Sequence, residues 1–171
     1  DAAKYGIRAI PTQVFLDREG KELLLGCFHP VVGKHVAVQP FSGEKPPILS
    51  LLVPVRQNEL PLEGILQTDH GLLLLAARPV YDSQGQGPSR GVLVMGRFLT
   101  LPVLQALAKR VQVPFDLISR NAGRITVPEQ ELFRRLVAAG SGRPREFQGG
   151  FLYQVLPDIE NKYPLLLRLP V

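Results

Sequence analysis

Apolar positions concentrate in the middle of the chain, where their pattern predicts a β-hairpin. Residues 72–82 form an apolar run, residues 82–89 read DSQGQGPS, and residues 91–99 are apolar again. Two apolar segments joined by a polar, glycine-rich loop are typical of antiparallel strands with a flexible connection. The long run in the first strand predicts burial on both of its faces. In the second strand, alternation places four residues on one face: Val92, Val94, Gly96 and Phe98.

After this hairpin the apolar spacing changes to the period of a helix. One helix is predicted after Thr100, and a second at residues 128–139. The intervening and closing segments have strand character, at residues 115–119, 147–156 and 164–169. Antiparallel strands with helices beside them predict an α+β fold, with a central antiparallel sheet and flanking helices.

The front of the chain predicts a second, smaller β-hairpin. Residues 12–16 and 21–25 have strand composition, and the segment between them, with Gly20 at its end, is a turn. Prolines and glycines then cluster in residues 27–47, which predicts a loop-rich junction.

The junction predicts a division of the chain into residues 1–47 and residues 48–171. Immediately after it, residues 48–55 read ILSLLVPV. This segment fits either a short helix ended by Pro54 or a buried strand, because its length does not decide between them.

Composition and charge exclude several classes of protein. The 171 residues are 45% hydrophobic and 20% charged, as in folded globular chains. The net charge is +5, but the basic residues are scattered and there is no Trp, so we expect no nucleic-acid partner. A single cysteine, Cys27, allows neither an internal disulfide nor a cysteine-rich zinc site. The three histidines lack helical metal-ligand spacing, and we therefore expect no metal and no cofactor.

The sequence also lacks the signatures of catalysis and of membrane insertion. It contains no nucleophile-elbow or phosphate-loop motif and no convincingly spaced carboxylate pair, so we expect a protein without enzymatic activity. No apolar run approaches the roughly 18–20 residues that span a bilayer.

Two arginines are the most notable candidates for binding. Arg78 and Arg97 each lie inside an apolar strand, where a charge needs a partner. One interpretation is a pocket for an anion beside the sheet, since a guanidinium binds carboxylate or phosphate through paired hydrogen bonds. The other is that each pairs with a protein carboxylate, such as Asp158 or Asp82, or lies on a solvated face. The long loop leaves the hairpin register open, and with it the question of whether both arginines share a face.

Four further residues are candidates to line the same pocket. Tyr81 and Tyr153 would do so as strand tyrosines, although such residues commonly only pack. Met95 suits either a ligand contact or the core. Asp158 lies in a predicted turn, where an aspartate bonds neighbouring backbone without any further role.

A resemblance appears first at the front of the chain. The segment KYGIRAIPTQVFLDREGKEL, within residues 1–26, resembles the second half of a thioredoxin. The resemblance implies a structural cis-proline at Pro11. The family's Cys-x-x-Cys motif is absent, so a thioredoxin-like redox or interaction protein without the active-site cysteine pair is the alternative function.

A second resemblance covers residues 48–171. Ala77-Arg78-Pro79, the segment from Gly91 to Arg97 and the closing hairpin with Asp158 are similar to the fourth class of the CHASE family of extracellular sensor domains. It implies a PAS-like sensor domain, preceded here by the thioredoxin-like hairpin. In that family a long N-terminal helix packs across the sheet, and thioredoxin-like sequence occupies its place here.

The CHASE resemblance implies a receptor function. The domain is expected to lie outside the cytoplasm, in the periplasm or outside the cell, in a bacterial or archaeal membrane receptor. It would bind a small, anionic molecule and pass the signal to a histidine kinase or diguanylate cyclase. Contact with the membrane would come only through segments absent from this chain, and the parent receptor could be a homodimer.

Overall fold

The chain divides into two compact units, Asp1–Leu99 and Thr100–Val171. The computed structural model describes residues 12–17, 22–26, 28–29, 33–38, 41, 47–58, 60–85, 87–119, 125–140 and 144–171. Pro11 and Cys27, on which the thioredoxin-like interpretation depends, lie outside these residues. Each unit has its own antiparallel sheet with helical structure beside it, so the α+β prediction is confirmed at this level.

The first unit is built on a sheet with the strand order β2-β1-β7-β6-β5. Two very short strands, β3 and β4, pair separately from it. In chain order the described elements of this unit are β1 (Thr12–Asp17), β2 (Glu22–Gly26), β3 (Phe28–His29), β4 (Lys34–His35), α1 (Ile48–Asn58), β5 (Leu62–Thr68), β6 (Gly71–Val80) and β7 (Gly91–Phe98).

The predicted central hairpin is β6 paired with β7. Its register runs from Val80 opposite Gly91 at the loop to Leu73 opposite Phe98 at the far end. The predicted alternation in β7 is confirmed, because the face that carries Val92 and Val94 is buried. The prediction that β6 is buried on both faces is wrong: its residues alternate between buried and exposed. One side of the β6–β7 hairpin is therefore open.

The buried face of the sheet packs against α1. Ile48, Leu52 and Val55 are buried at the spacing of one helical stripe, and α1 contacts both β6 and β7. The alternatives for residues 48–55 resolve in favour of the helix, and Pro54 lies inside α1 instead of ending it. Among the described residues of the first unit, the other buried apolar side chains are Val38, Phe41, Leu66, Leu73, Leu75, Ala77, Val92, Val94 and Phe98.

Glycine at position 96 allows the side chain of Leu73 to pack closely against the β7 backbone. A Cβ atom there would lie 3.2 Å from the Leu73 side chain, which is fully buried. Any larger residue would force Leu73 to shift within a close-packed interior.

The front hairpin, predicted at residues 12–25, forms as β1 and β2. It joins the sheet edge to edge, because β1 pairs with β7 from Thr12 opposite Gly96 to Asp17 opposite Gly91. The compact units thus divide the chain at Leu99, whereas the composition predicted a division at residue 47. Pairing between strands so far apart in sequence has no signature in local composition.

The second unit has a sheet with the strand order β8-β11-β10-β9. In chain order its described elements are α2 (Leu101–Val111), β8 (Asp116–Ser119), α3 (Val127–Ala138), β9 (Arg145–Gln148), β10 (Phe151–Leu156) and β11 (Leu165–Pro170). Both predicted helices and the predicted closing pair of strands are confirmed.

The segment predicted as one strand at residues 147–156 is two strands. Gly149 and Gly150 have φ values of 59° and 80° and form the turn between β9 and β10. A two-residue hairpin turn with positive φ at both positions favours glycine at each, and these two glycines supply it.

The core of the second unit lies between α3 and its sheet. Leu132, Phe133 and Leu136 of α3 are buried against residues of the strands: Ile118, Tyr153, Val155 and Leu166. The helix α2, in contrast, has no buried residue.

Candidate functional site

The register of the central hairpin settles which residues share its open side. Arg78 lies opposite Leu93, Met95 opposite Ala76, and Arg97 opposite Leu74. Directly opposed residues on antiparallel strands point to the same face. Arg78, Met95 and Arg97 are therefore on one face, which we call the open face.

The two arginines nevertheless stand far apart on that face. Leu93, the position opposite Arg78, is four residues from Arg97. At roughly 3.4 Å per residue, this separates the two positions by roughly 14 Å along the strand. A small anion bound by one guanidinium would therefore not contact the other. Only a long ligand could bind both arginines.

Arg78 already has a carboxylate partner. Its guanidinium lies 2.8 Å from Glu63, and it also donates to the carbonyl of Ala77 at 3.0 Å. Both side chains of the pair are at least half exposed, so the pair contributes little to stability. Pairing with a protein carboxylate is the interpretation that fits Arg78, although the partner is Glu63 and neither of the two aspartates considered from sequence.

Arg97 has a different environment. It is exposed, and no carboxylate among the described residues forms an ion pair with it. Leu74, directly opposite, is 45% exposed, and Met95, two residues away on the same strand, is 43% exposed. Met95 is thus a surface residue and does not fill the core. These three residues, which we call the open-face patch, combine a free cation with apolar surface.

Tyr81 and Tyr153, the two tyrosine candidates, lie in different units. Tyr81 directly follows β6 in the first unit and is half-buried. Tyr153 belongs to the core of the second unit, where its hydroxyl donates to Oε1 of Glu129 at 3.2 Å.

Asp158 stabilises the turn between β10 and β11. It is only 3% exposed, and its Oδ1 accepts hydrogen bonds from the backbone N–H groups of Lys162 and Tyr163 at 2.8 and 3.1 Å. The other carboxylate oxygen, Oδ2, is buried and has no hydrogen-bond partner among the described residues. These contacts are those of the turn role that the sequence allowed for this residue.

The second unit contains an ionic network that sequence analysis missed. Arg168 of β11 donates to Asp116 of β8 at 2.7 Å and to Glu129 of α3 at 2.7 Å. The Arg168 guanidinium also stands 5.2 Å from the centre of the Phe151 ring. Hydrogen bonding to Asp116 raises the pKa of Arg168, which stays charged.

Glu129 is the buried member of this network, with 7% of its surface exposed. Burial by itself would raise the pKa of the Glu129 carboxyl. Hydrogen bonds from the Thr126 backbone and hydroxyl, from Arg168 and from Tyr153 outweigh that effect, and the pKa is lowered. Burial and the nearby Glu129 charge in turn raise the pKa of Tyr153.

Part of this network was visible in the sequence. Thr126 and Glu129 have the spacing of a capping box, in which each side chain bonds the other residue's backbone N–H, and both bonds are present. The partner Arg168 is 39 residues away from Glu129, and no local pattern identifies it.

The second unit also has a groove of about 540 Å³ along α3. Apolar and charged side chains of this helix line it, together with Ile125 and Pro164. None of the six residues selected from the sequence lines this groove.

Among the described residues, none of the helices has the length and apolar character of a membrane span. No group of three or more His, Cys, Asp or Glu side chains within the described ranges could hold a metal ion.

Comparisons with known proteins give one family match. The profile of the CHASE4 domain matches residues 11–118. This span includes the whole described length of β1, β7, β6 and β5, and it ends within β8. No curated protein sequence matches the chain.

Several solved structures are similar to the chain, and two of them are described here. One is the extracellular domain of a protein named as a histidine kinase, vpHK1S-Z8, with 14% identity over 99% of this chain and 71% of that chain, and a TM-score of 0.48. The other is a domain of a protein named as a sensory box/GGDEF family protein from Vibrio parahaemolyticus, with 12% identity over 99% of this chain and 74% of that chain, and a TM-score of 0.46.

Proposed function

The chain belongs to the CHASE4 domain family of extracellular sensor domains, and we propose that it is the ligand-sensing part of a bacterial or archaeal signalling receptor. The observation that carries this proposal is the family match over residues 11–118, which takes in the strands of the open face. The domain acts by binding and not by catalysis. A ligand that binds one conformation more tightly than another shifts the population toward it.

We place the ligand of this sensor on the open-face patch. Arg97 supplies a cation that no described carboxylate neutralises, and Leu74 and Met95 supply exposed apolar surface beside it. An arginine binds a carboxylate through two parallel hydrogen bonds, which are stronger than neutral ones. The ligand class is therefore a small carboxylate with an apolar body.

The other candidate residues are less suited to bind this ligand. Arg78 would have to exchange Glu63 for the ligand, and Tyr81 lies beyond the end of β6. Tyr153 and Asp158 belong to the second unit, where each bonds protein groups. We therefore propose ligand contact for Arg97 and Met95 first, and structural roles for Tyr153 and Asp158.

The family match also supports a proposal for the finer features of the receptor. We propose a PAS-like architecture for the sensor, a periplasmic or extracellular location, and an output through a histidine kinase or a diguanylate cyclase. We propose that the parent receptor is a homodimer.

A thermal-shift screen of the purified chain against small carboxylates tests the proposed ligand class. At a concentration of 100 Kd, a ligand that binds only the native state adds about 2.7 kcal/mol to the free energy of unfolding. Calorimetric titration of the best compound then gives its affinity for the chain and for Arg97→Gln. Because a hydrogen bond to a charged group contributes about 1.5–3 kcal/mol, we expect the affinity to fall about tenfold or more.

Arg90→Gln is the matched control, since Arg90 is an exposed arginine in the connection between β6 and β7. It should bind the compound as tightly as the parent chain. Equal affinity in Arg97→Gln would remove the open-face patch as the site. The absence of any shift across the screen, with a cooperative melt, would favour a spacer domain without a ligand.

A further inference from the structure

The groove along α3 has no role in the function proposed above. It lies in the second unit, at residues 125–164, beyond the end of the CHASE4 match at residue 118. We propose that this groove is a separate binding site for a small zwitterion with an apolar body.

One stripe of α3 forms a wall of the groove. Val127, Gln130, Glu131, Arg134 and Val137 follow one another at intervals of three or four residues, apart from one adjacent pair, and all of them line the groove. This spacing places them on one side of the helix. The stripe has valines at its two ends and polar side chains in its middle, so it is suited to an amphipathic ligand.

Two apolar side chains of the groove are exposed. Val127 is 69% exposed and Val137 is 43% exposed, whereas Phe133, which also lines the groove, is 4% exposed. The two valines are roughly 15 Å apart along the helix, so a small ligand body would cover one of them. Covering it removes its surface from water, which is favourable in proportion to the apolar area covered. The volume of about 540 Å³ lies within the range of small-molecule sites.

The charges in the groove belong to side chains of α3 that form no ion pair within the described part of the chain. Glu129 pairs with Arg168, and Arg135 pairs with Glu146. Glu131 and Arg134 have no ion-pair partner among the described residues, although both line the groove. An unpaired carboxylate and an unpaired guanidinium three residues apart present both signs of charge to the same ligand. A molecule with an ammonium and a carboxylate complements them both.

The probes are leucine and two analogues of it, titrated by calorimetry into the full chain. The analogues are 4-methylpentanoate, which lacks the ammonium group, and 3-methylbutylamine, which lacks the carboxylate. We expect saturable binding of leucine with a Kd below about 1 mM, and weaker binding of each analogue because one charge contact is missing.

The variants then assign each charge. Arg134→Gln should weaken leucine at least about tenfold. In the Arg97→Gln background, where the open-face patch has no cation for a carboxylate, it should also abolish the binding of 4-methylpentanoate and leave that of 3-methylbutylamine unaffected. Glu131→Gln should abolish the binding of 3-methylbutylamine and leave that of 4-methylpentanoate unaffected. Arg135→Gln is the matched control, because Arg135 is the neighbouring arginine outside the groove, and it should bind all three probes as the parent does.

Three results would overturn the inference. The first is the absence of saturable leucine binding, and the second is an unchanged leucine affinity in both groove variants. The third is that Arg97→Gln loses leucine binding while Arg134→Gln keeps it unchanged. The last result would support the open-face patch and remove the groove, so the two proposals fail separately. All groove variants change exposed side chains, and a thermal melt of each establishes that it is folded.

Discussion

Glu129 connects several parts of the second unit through one carboxylate. Its Oε1 accepts from Tyr153 and Arg168, and its Oε2 accepts from the backbone and the hydroxyl of Thr126. The carboxylate thereby links the start of α3 to β10 and β11. An anion this buried is favourable only when its oxygens are fully hydrogen-bonded, and here they are.

The substitution Glu129→Gln should therefore destabilise the chain in a pH-dependent way. The pKa of Glu129 is lowered from its ordinary value of 4.5, so the stability it contributes is complete above about pH 4.5. That contribution is lost as the pH falls through the lower folded-state pKa. At pH 7 we expect a loss of about 1–3 kcal/mol, since bonds to a charged acceptor are lost and Arg168 keeps only Asp116. Below pH 4.5 the parent and the variant should converge.

Urea unfolding of both proteins between pH 3 and pH 7 measures this difference. Glu131→Gln, an exposed change on the same helix, should differ little from the parent at any of these pH values. A gap between the parent and Glu129→Gln that stays constant with pH would show that the ionised carboxylate is not what stabilises the fold.

At the scale of elements, the two helices of the second unit start differently although both follow a threonine. Thr126 caps α3, because its side chain accepts from the backbone N–H of Glu129. Thr100 precedes α2 with an extended backbone, yet its side chain makes no cap hydrogen bond. The same residue type thus has a capping contact at one helix and none at the other.

The pair of variants Thr126→Ala and Thr100→Ala tests this distinction. Loss of an N-cap threonine costs about 1 kcal/mol, so Thr126→Ala should lower the free energy of unfolding by about that amount. Thr100→Ala should leave it within about 0.5 kcal/mol of the parent. Urea unfolding at neutral pH compares them, and equal losses in the two variants would contradict the structural assignment of the caps.

Local signals in the sequence predicted the elements better than their pairing. The hairpin of β6 and β7 was predicted because a polar, glycine-rich loop separates two apolar strands. α3 was predicted from the helical period of its apolar residues. The two faces of β6 were misjudged, because a run of leucines and alanines looks the same whether one face or both faces are covered.

The candidate site was predictable only in part, for a similar reason. Sequence selected Arg97 and Met95, and the hairpin register places them on one face with Leu74. The register itself depends on tertiary packing, which a long loop does not specify. Arg168 and Glu129 were missed because their contact spans 39 residues and three elements.

At the scale of the whole molecule, the division at Leu99 differs most from the sequence-based expectation. Composition shifts sharply at the proline-rich junction of residues 27–47, but β1 pairs with β7 and so belongs to the first sheet. A change of composition marks a loop, whereas a unit of folding is defined by which strands share a sheet and a core.

The second unit should therefore fold without the first. Its sheet consists of β8 to β11, and all the buried residues of its core cluster lie between Ile118 and Leu166 in the sequence. The unit, Thr100–Val171, is longer than the roughly 55–65 residues that suffice for many independent domains. We expect a fragment of residues 100–171 to show native-like circular dichroism and a cooperative urea transition.

Thr126→Ala makes this test specific to the native fold of the fragment. If α3 is capped there as in the full chain, the substitution should lower the transition midpoint of the fragment, and Thr100→Ala should not. A compact but non-native fragment would be insensitive to both. A fragment that is unfolded would mean that the buried cluster, although built from its own residues, needs the first unit to form. An intact fragment would also allow the groove along α3 and the open-face patch to be titrated apart from each other.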